Sequence, residues 1–142
     1  MVEFEESGRI IADADKHDPL SRMRVYRLAC ELVNDSWHDA EVLRQHPATD
    51  RISGQLFRAV GSIAANLAEG YSHSSGRDRA RIFEYALGSA RESLVWFRSV
   101  RHVLGDAVVS ERLGKIEEIR RLLLAIIPRE RGRTIQRGAR TT

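Results

Sequence analysis

The run Asp50-Arg51-Ile52-Ser53-Gly54-Gln55-Leu56-Phe57-Arg58-Ala59-Val60-Gly61-Ser62-Ile63-Ala64-Ala65-Asn66-Leu67-Ala68-Glu69-Gly70-Tyr71 places Ile52, Leu56, Val60, Ile63 and Leu67 at steps of three and four. That is the period of a helix buried along one stripe. The break before it, Pro47-Ala48-Thr49-Asp50, supplies a stop and new N-caps, and the helix is expected to end near Gly70-Tyr71. A second stripe, Gly54, Gly61, Ala65 and Ala68, has almost no side chain. Each glycine costs about 1 kcal/mol of helix propensity against alanine, so close approach by another helix is the expected compensation, with plain solvent exposure as the alternative.

Working outward, the preceding segment opens on Asp18-Pro19, an N-cap with proline at the first helical position, and runs to His46 before Pro47 stops it. Its length predicts about 40 Å of helix. The third segment begins after Ser75, with Asp78 completing an imperfect capping box, and continues to Leu104, where Gly105 can take a left-handed conformation. Asp106 then caps a fourth that carries Val109, Leu113, Ile116, Leu123 and Ile127 and is expected to halt at Pro128. Short breaks between helices of similar length force antiparallel neighbours, so the expected fold is all-α, an up-and-down four-helix bundle over residues 19–128.

Length and composition agree with that reading. At 142 residues and 42% hydrophobic content the chain suffices for one core. Only 6% of residues are aromatic, which suits helices better than a sandwich or barrel. The longest apolar run is Leu122 to Ile127, far short of a membrane span, and the start Met1-Val2-Glu3-Phe4-Glu5-Glu6 is acidic where a signal peptide is basic. A cytoplasmic protein without membrane contact is expected. The lone Cys30 sits on an apolar helical face and reads as a buried spectator.

The third segment has two adjoining apolar stripes. Ile82, Ala86, Ser89, Ser93, Trp96, Val100 and Val103 run beside Phe83, Leu87, Ala90, Leu94, Phe97 and Leu104. An arc this broad suggests burial of Leu94-Val95-Trp96-Phe97 against a neighbouring subunit, although the chain's own termini could also shield Trp96. The expected oligomer interface therefore comprises Gly54, Gly61, Ala65 and Trp96.

The net charge of +3 conceals three regions. Residues 1–18 carry −4, from Glu3, Glu5, Glu6, Asp13, Asp15 and Asp18 against Arg9 and Lys16, and are expected to be flexible. Residues 129–142 carry +4, from Arg129, Arg131, Arg133, Arg137 and Arg140 against Glu130, and are expected to form a disordered Arg-rich tail. Arg51 and Arg58 on the second segment and Arg77, Arg79 and Arg81 near His73 could neutralise phosphates, although Asp78, Glu84 and Glu92 interleave with them as on an ordinary mixed surface. No aromatic residue sits in the tail, so base stacking there is not expected.

Chemistry is sparse. Gly70-Tyr71-Ser72-His73-Ser74-Ser75-Gly76-Arg77-Asp78 fails as a phosphate loop in its glycine spacing, in Arg77-Asp78, and in lacking a preceding strand. It fails as a nucleophile elbow for want of the closing glycine. His17, His38, His46, His73 and His102 include no pair at three or four residues, and no Glu-x-x-His occurs, so no metal is expected. Adjacent Glu117 and Glu118 point in different directions on a helix. No catalytic residue and no cofactor are expected.

Ser62-Ile63-Ala64-Ala65-Asn66-Leu67-Ala68-Glu69-Gly70, followed after 17 residues by Gly88-Ser89 and then Glu92, resembles the bacterial four-helix-bundle proteins encoded in intervening sequences of 23S ribosomal RNA genes. The similarity spans roughly Tyr26 to Leu124 and takes in Leu28-Ala29-Cys30-Glu31-Leu32 and Gln55-Leu56-Phe57-Arg58-Ala59. The family has Ser-Ile-Pro-Ala-Asn where Ala64 replaces the proline here, which leaves open whether the second helix is kinked. The resemblance implies a ring-shaped homopentamer with no known enzymatic activity. The same structural group includes accessory variability proteins of diversity-generating retroelements, basic pentamers that bind nucleic acid and a reverse transcriptase. By that analogy Arg51, Arg58, Arg77, Arg79 and Arg81 are the expected nucleic-acid contacts. Asn66, Glu69 and Gly70 look structural, Asn66 and Glu69 as hydrogen-bonding partners of the helix end and Gly70 as a source of positive φ. Two readings stand: a nucleic-acid-binding accessory protein, with a reverse transcriptase as a possible partner, or a protein-only homo-oligomeric scaffold.

Overall fold

The computed structural model describes residues 18–140, with side chains described through Gly132. Most of the acidic segment expected at 1–18 therefore lies outside the described residues, as do Thr141 and Thr142. Four long helices, α1 (Arg24–Arg44), α2 (Asp50–Ser72), α3 (Gly76–Ser99) and α4 (Asp106–Arg140), account for nearly all of the described chain, and no strand occurs among the described residues. Each helix packs on its neighbour in sequence, and α1 closes on α4. Cross-helix pairs give the direction: Arg24 meets Glu118, Asp35 meets Lys115 and Asp39 meets Arg112, so residue numbers rise on α1 as they fall on α4. No described helix is long and apolar enough to cross a membrane.

The local signals set most boundaries. The Asp18 carboxylate accepts from the Leu20 N–H at 3.0 Å, with Pro19 next, but these residues cap a separate 3-10 turn, Pro19–Arg22. Met23 is extended at ψ 117°, which delays α1 to Arg24. At the α1–α2 turn, buried Thr49 donates its hydroxyl to the Leu43 carbonyl at 2.8 Å, satisfying one orphan acceptor at the end of α1. The Ser75 hydroxyl accepts from the Asp78 N–H at 3.2 Å and caps α3 as expected. α3 stops at Ser99 instead of Leu104, because Val100 leaves helical geometry at ψ 13°; a one-turn helix, Arg101–Leu104, follows. Gly105 then turns the chain with φ 88°, a value that glycine takes freely.

Three expectations are corrected. First, the last helix does not halt at Pro128: α4 passes through it, and its backbone remains helical to Arg140. A proline inside a helix removes one hydrogen bond and crowds the carbonyl four residues earlier, at about 3 kcal/mol. Tertiary contacts on both sides oppose that cost. Ile127 is buried in the core, and Glu130 is bound by Arg79 from α3 at 2.9 Å. The backbone of 129–140 is thus part of α4, and the side chains beyond Gly132 and residues 141–142 lie outside the described residues.

Second, the broad apolar arc of α3 is consumed within the chain. Ile82, Phe83, Ala86, Leu87, Ala90, Leu94, Phe97 and Val100 are all buried, because α3 is flanked by α2 on one side and α4 on the other. In Leu94-Val95-Trp96-Phe97 only Val95 points outward. Trp96 is half-buried against the core, and its Nε1–H donates to Glu92 Oε1 at 3.2 Å.

Third, Gly70 has no positive φ. It is buried near the end of α2, where an added Cβ would stand 2.8 Å from Phe83 Cδ1 and Cε1 and 3.4 Å from Ile82 Cβ. Its purpose is close approach of α3. Asn66 is half-buried and Glu69 exposed, and neither side chain bonds to the helix-end backbone among the described residues. α2 runs unbroken through Ala64.

The core is layered from Leu32 and Leu43 of α1, Leu56, Val60, Ile63 and Leu67 of α2, Phe83 and Phe97 of α3, and Ile116, Ile119 and Leu123 of α4. The α1–α4 seam adds a polar clasp. Arg112 donates to both oxygens of buried Asp39, at 2.7 and 3.1 Å, while Lys115 donates to Asp35 at 2.7 Å. Burial pushes the pKa of both cations down, but the carboxylate hydrogen bonds and charges outweigh it and raise Arg112 and Lys115 above their ordinary values. Cys30 is half-buried.

Candidate nucleic-acid interface

One end of the bundle gathers the start of α1, the end of α2, the start of α3 and the later turns of α4. Met23, Tyr71, Arg79, Phe83, Ile126, Arg129 and Glu130 line one groove there. A second, more polar depression beside it is lined by Ser75, Arg77, Asp78, Arg81, Glu84 and Arg131. Arg77 and Arg81 are four residues apart on the first turns of a capped helix, so they share a face. The helix N-terminus adds partial positive charge, partly answered by Asp78 in the first turn.

The five arginines expected to contact phosphate are not one patch. Arg77 and Arg81 are exposed at this end and make no ion pair among the described residues. Arg79, between them in sequence, turns inward. Its side chain is 14% exposed, its Nε donates to Glu130 Oε2 at 3.0 Å, and its Nη1 donates to the His73 and Ser74 carbonyls at 2.8 and 3.0 Å. It ties the α2–α3 turn to α4, so its role is in the fold. Arg51 lies about 30 Å away along α2, from a rise of about 1.5 Å per residue. Arg58 is midway, exposed but bound to Glu92 Oε1 and Gln55 Oε1, both at 3.1 Å.

Two further arginines join the cluster from α4. Arg129 is exposed without an ion pair among the described residues, and Arg131 pairs with Glu84. The basic tail was visible in the sequence, but reading Pro128 as a stop detached it from the bundle. The result is an end surface of Arg77, Arg81, Arg129 and Arg131 with Asp78 and Glu84 among them, cationic on balance. Among the described residues no three His, Cys, Asp or Glu side chains are grouped to hold a metal ion.

The residues expected at an oligomer interface lie elsewhere. Gly54 and Ala65 are exposed and Gly61 half-buried on α2, and a Cβ added at Gly54 or Gly61 would meet nothing within 4 Å. Among the described residues nothing of this chain packs over Gly54 or Gly61. Beside this small stripe stands Trp37 of α1, 41% exposed, edge-on to Phe57 of α2 at a centroid distance of 5.6 Å. Sequence reasoning missed Trp37, although Tyr26, Val33 and Trp37 recur at helical spacing on one flank of α1.

Comparison with known proteins bears on the fold and the family. The sequence pattern of the 23S rRNA-intervening sequence protein family matches residues 21–125. The crystal structure of a protein of unknown function from the S23 ribosomal protein family of Bacteroides thetaiotaomicron superposes with a TM-score of 0.68 at 23% identity, covering 72% of this chain and 97% of that one. At that identity the likeness speaks for the helical fold alone. No curated protein matches the sequence.

Proposed function

The chain belongs to the 23S rRNA-intervening sequence protein family, and from that premise we propose that it is a non-enzymatic, homo-oligomeric accessory protein that binds structured RNA or DNA through the basic end of its bundle. The observation that carries the reading is the set Arg77, Arg81 and Arg129, exposed together at one end without carboxylate partners among the described residues. Cations already paired lose little by staying so; unpaired ones release counterions from a polyanion when they meet its phosphates. The analogy with the retroelement accessory proteins extends the proposal to a reverse-transcriptase partner.

A salt titration tests it. Fluorescence anisotropy of a labelled RNA hairpin and of a DNA duplex should report binding that persists near about 150 mM salt and weakens steeply above it. Arg77→Gln, Arg81→Gln and Arg129→Gln should each lower the slope of log affinity against log salt by about 1. Arg79→Gln should instead lower stability. If the unmodified protein retains neither nucleic acid at about 150 mM salt, the proposal fails.

The uncovered small stripe on α2 supports the second reading, a protein-only homo-oligomeric scaffold. A homopentamer joined through Gly54, Gly61 and Ala65, with Trp37 and Phe57 beside them, would cover that face. Native mass spectrometry reads the stoichiometry directly, and a monomer at micromolar concentration would end both the pentamer and the scaffold.

A further inference from the structure

The groove at the basic end has an apolar floor, Met23, Tyr71, Phe83 and Ile126, and a rim of Arg129 and the Arg79–Glu130 ion pair, with unpaired Arg77 and Arg81 in the depression beside it. Met23 lies only five residues after Asp18, so residues 1–17 join the described chain within about 17 Å of this groove. Those residues hold Glu3, Glu5, Glu6, Asp13 and Asp15 against Arg9 and Lys16, and place Phe4, Ile10 and Ile11 among them. The segment therefore matches the groove twice over, in sign of charge and in having apolar side chains between its charges. Extended, it spans about 55 Å at about 3.3 Å per residue, more than the width of a bundle end. Tethering so close gives it an effective concentration in the millimolar range, enough for individually weak contacts to hold.

We propose that residues 1–17 fold back over the basic end, with carboxylates opposite Arg77, Arg81 and Arg129 and one of Phe4, Ile10 or Ile11 in the groove. The segment then occupies the same arginines that the proposed function assigns to phosphate, and it acts as a built-in competitor that a long polyanion displaces and a short one does not. The competition rests on the nucleic-acid reading; the docking does not.

The full chain is compared with a full-length variant carrying Glu3→Gln, Glu5→Gln, Glu6→Gln, Asp13→Asn and Asp15→Asn. Hydrogen-deuterium exchange by mass spectrometry is read over peptides covering residues 70–82 and 126–132, without nucleic acid. Neutralisation should speed exchange in both regions and leave the α1–α4 seam around Asp39 and Arg112 unchanged. Oligonucleotide affinity is measured on the same samples, and a two-site variant, Glu5→Gln with Asp13→Asn, is measured beside a control with Glu41→Gln and Asp50→Asn, which removes the same charge at the opposite end of the bundle. The segment variant should bind a short oligonucleotide about tenfold more tightly, and the control should change it less than about twofold. Unchanged exchange in both regions overturns the docking. Faster exchange with no oligonucleotide binding by any form upholds the docking and removes the nucleic-acid function. Equal gains from the two-site variant and the control overturn the competition, since net charge alone would then account for both.

Discussion

Gly70→Ala tests how tightly α2 and α3 are drawn together. A Cβ at that position would sit 2.8 Å from two ring carbons of Phe83, against ordinary carbon contacts near 3.5 Å or more. The ring cannot retreat cheaply, because Phe83 is 1% exposed and lies within the shared core. Two terms compete. Alanine gains at most about 1 kcal/mol of helix propensity over glycine, and less than that here, where Ser72 ends the helix two residues later. Overpacking a filled core costs about 1 to 3 kcal/mol. The steric term wins, and the variant should lose about 1 to 2 kcal/mol, seen as a lower urea midpoint with unchanged slope by circular dichroism. In a domain of this size that corresponds to a fall of roughly 4 to 10 °C in Tm. Adding Phe83→Leu to Gly70→Ala should recover part of the loss relative to Phe83→Leu alone, because the shorter side chain vacates the ring edge. A midpoint equal to or above that of the unmodified protein would refute the reasoning, since it would mean that the ring yields freely and Gly70 sets no distance.

Gly54→Ala and Gly61→Ala should do the opposite within one chain, each stabilising the fold by about 0.5 to 1 kcal/mol, since an added Cβ meets nothing within 4 Å; sedimentation at matched concentrations should show weakened self-association if copies pack over these positions, and no change if they do not. Asp39→Ala should cost about 3 kcal/mol in urea denaturation, near the low end for breaking a buried pair, because Glu111 and Asp35 still lie 3.0 and 3.7 Å from Arg112. Lys115, raised above its ordinary 10.5 by its carboxylate partners, contributes stability that is fully present below that value and is lost as pH rises through the higher folded-state value. The stability gap between the unmodified protein and Lys115→Met should accordingly hold to about pH 10 and close above it, and a gap that closed near neutrality would contradict the assignment. Pro128→Ala should raise the urea midpoint, by up to about 3 kcal/mol of stability, because the restored N–H can bond within a continuous helix; no gain would mean that α4 in solution ends where the proline stands.

What the sequence made legible was whatever a few neighbouring residues decide. Ser75 bonds to a backbone N–H three residues away and Gly105 takes its positive φ within one turn, so these features could be read from short strings, whereas the equally local Asp18–Leu20 bond caps only a 3-10 turn and α1 waits until Arg24. The errors fall where distant partners overrule a local rule. Pro128 is a helix breaker by its own chemistry, but Glu130 is held by Arg79 from 51 residues away. The wide arc on α3 was correctly seen as apolar. Most of it is buried within the chain; an arc says how much surface is buried and not how many helices of the same chain bury it. The candidate interface divides in the same way. Arg77 and Arg81 were found because they are close in sequence, Arg79 could not be told from them without knowing Glu130, and Arg129 and Arg131 arrive only when α4 continues past its proline.

The placement of the two candidate surfaces has a consequence for how they would act together. The uncovered small stripe runs along the outer flank of α2, whereas the unpaired arginines sit at one end of the bundle. A contact along the flank leaves the end free, so self-association and polyanion binding would not compete for surface. Cyclic assembly through a flank also relates every copy by rotation about one axis. Were a ring formed with the helices roughly along its axis, all the basic ends would lie on one of its faces. Three unpaired arginines on a single bundle would make a weak phosphate site at physiological salt; repeated around a ring they would become a multivalent one, because the second and later contacts are made at high effective concentration. A variant that remains monomeric with Arg77, Arg81 and Arg129 intact should therefore lose most of the affinity for long nucleic acid while keeping its weak affinity for a short oligonucleotide. Equal loss for both lengths would mean that a single bundle end is the whole site.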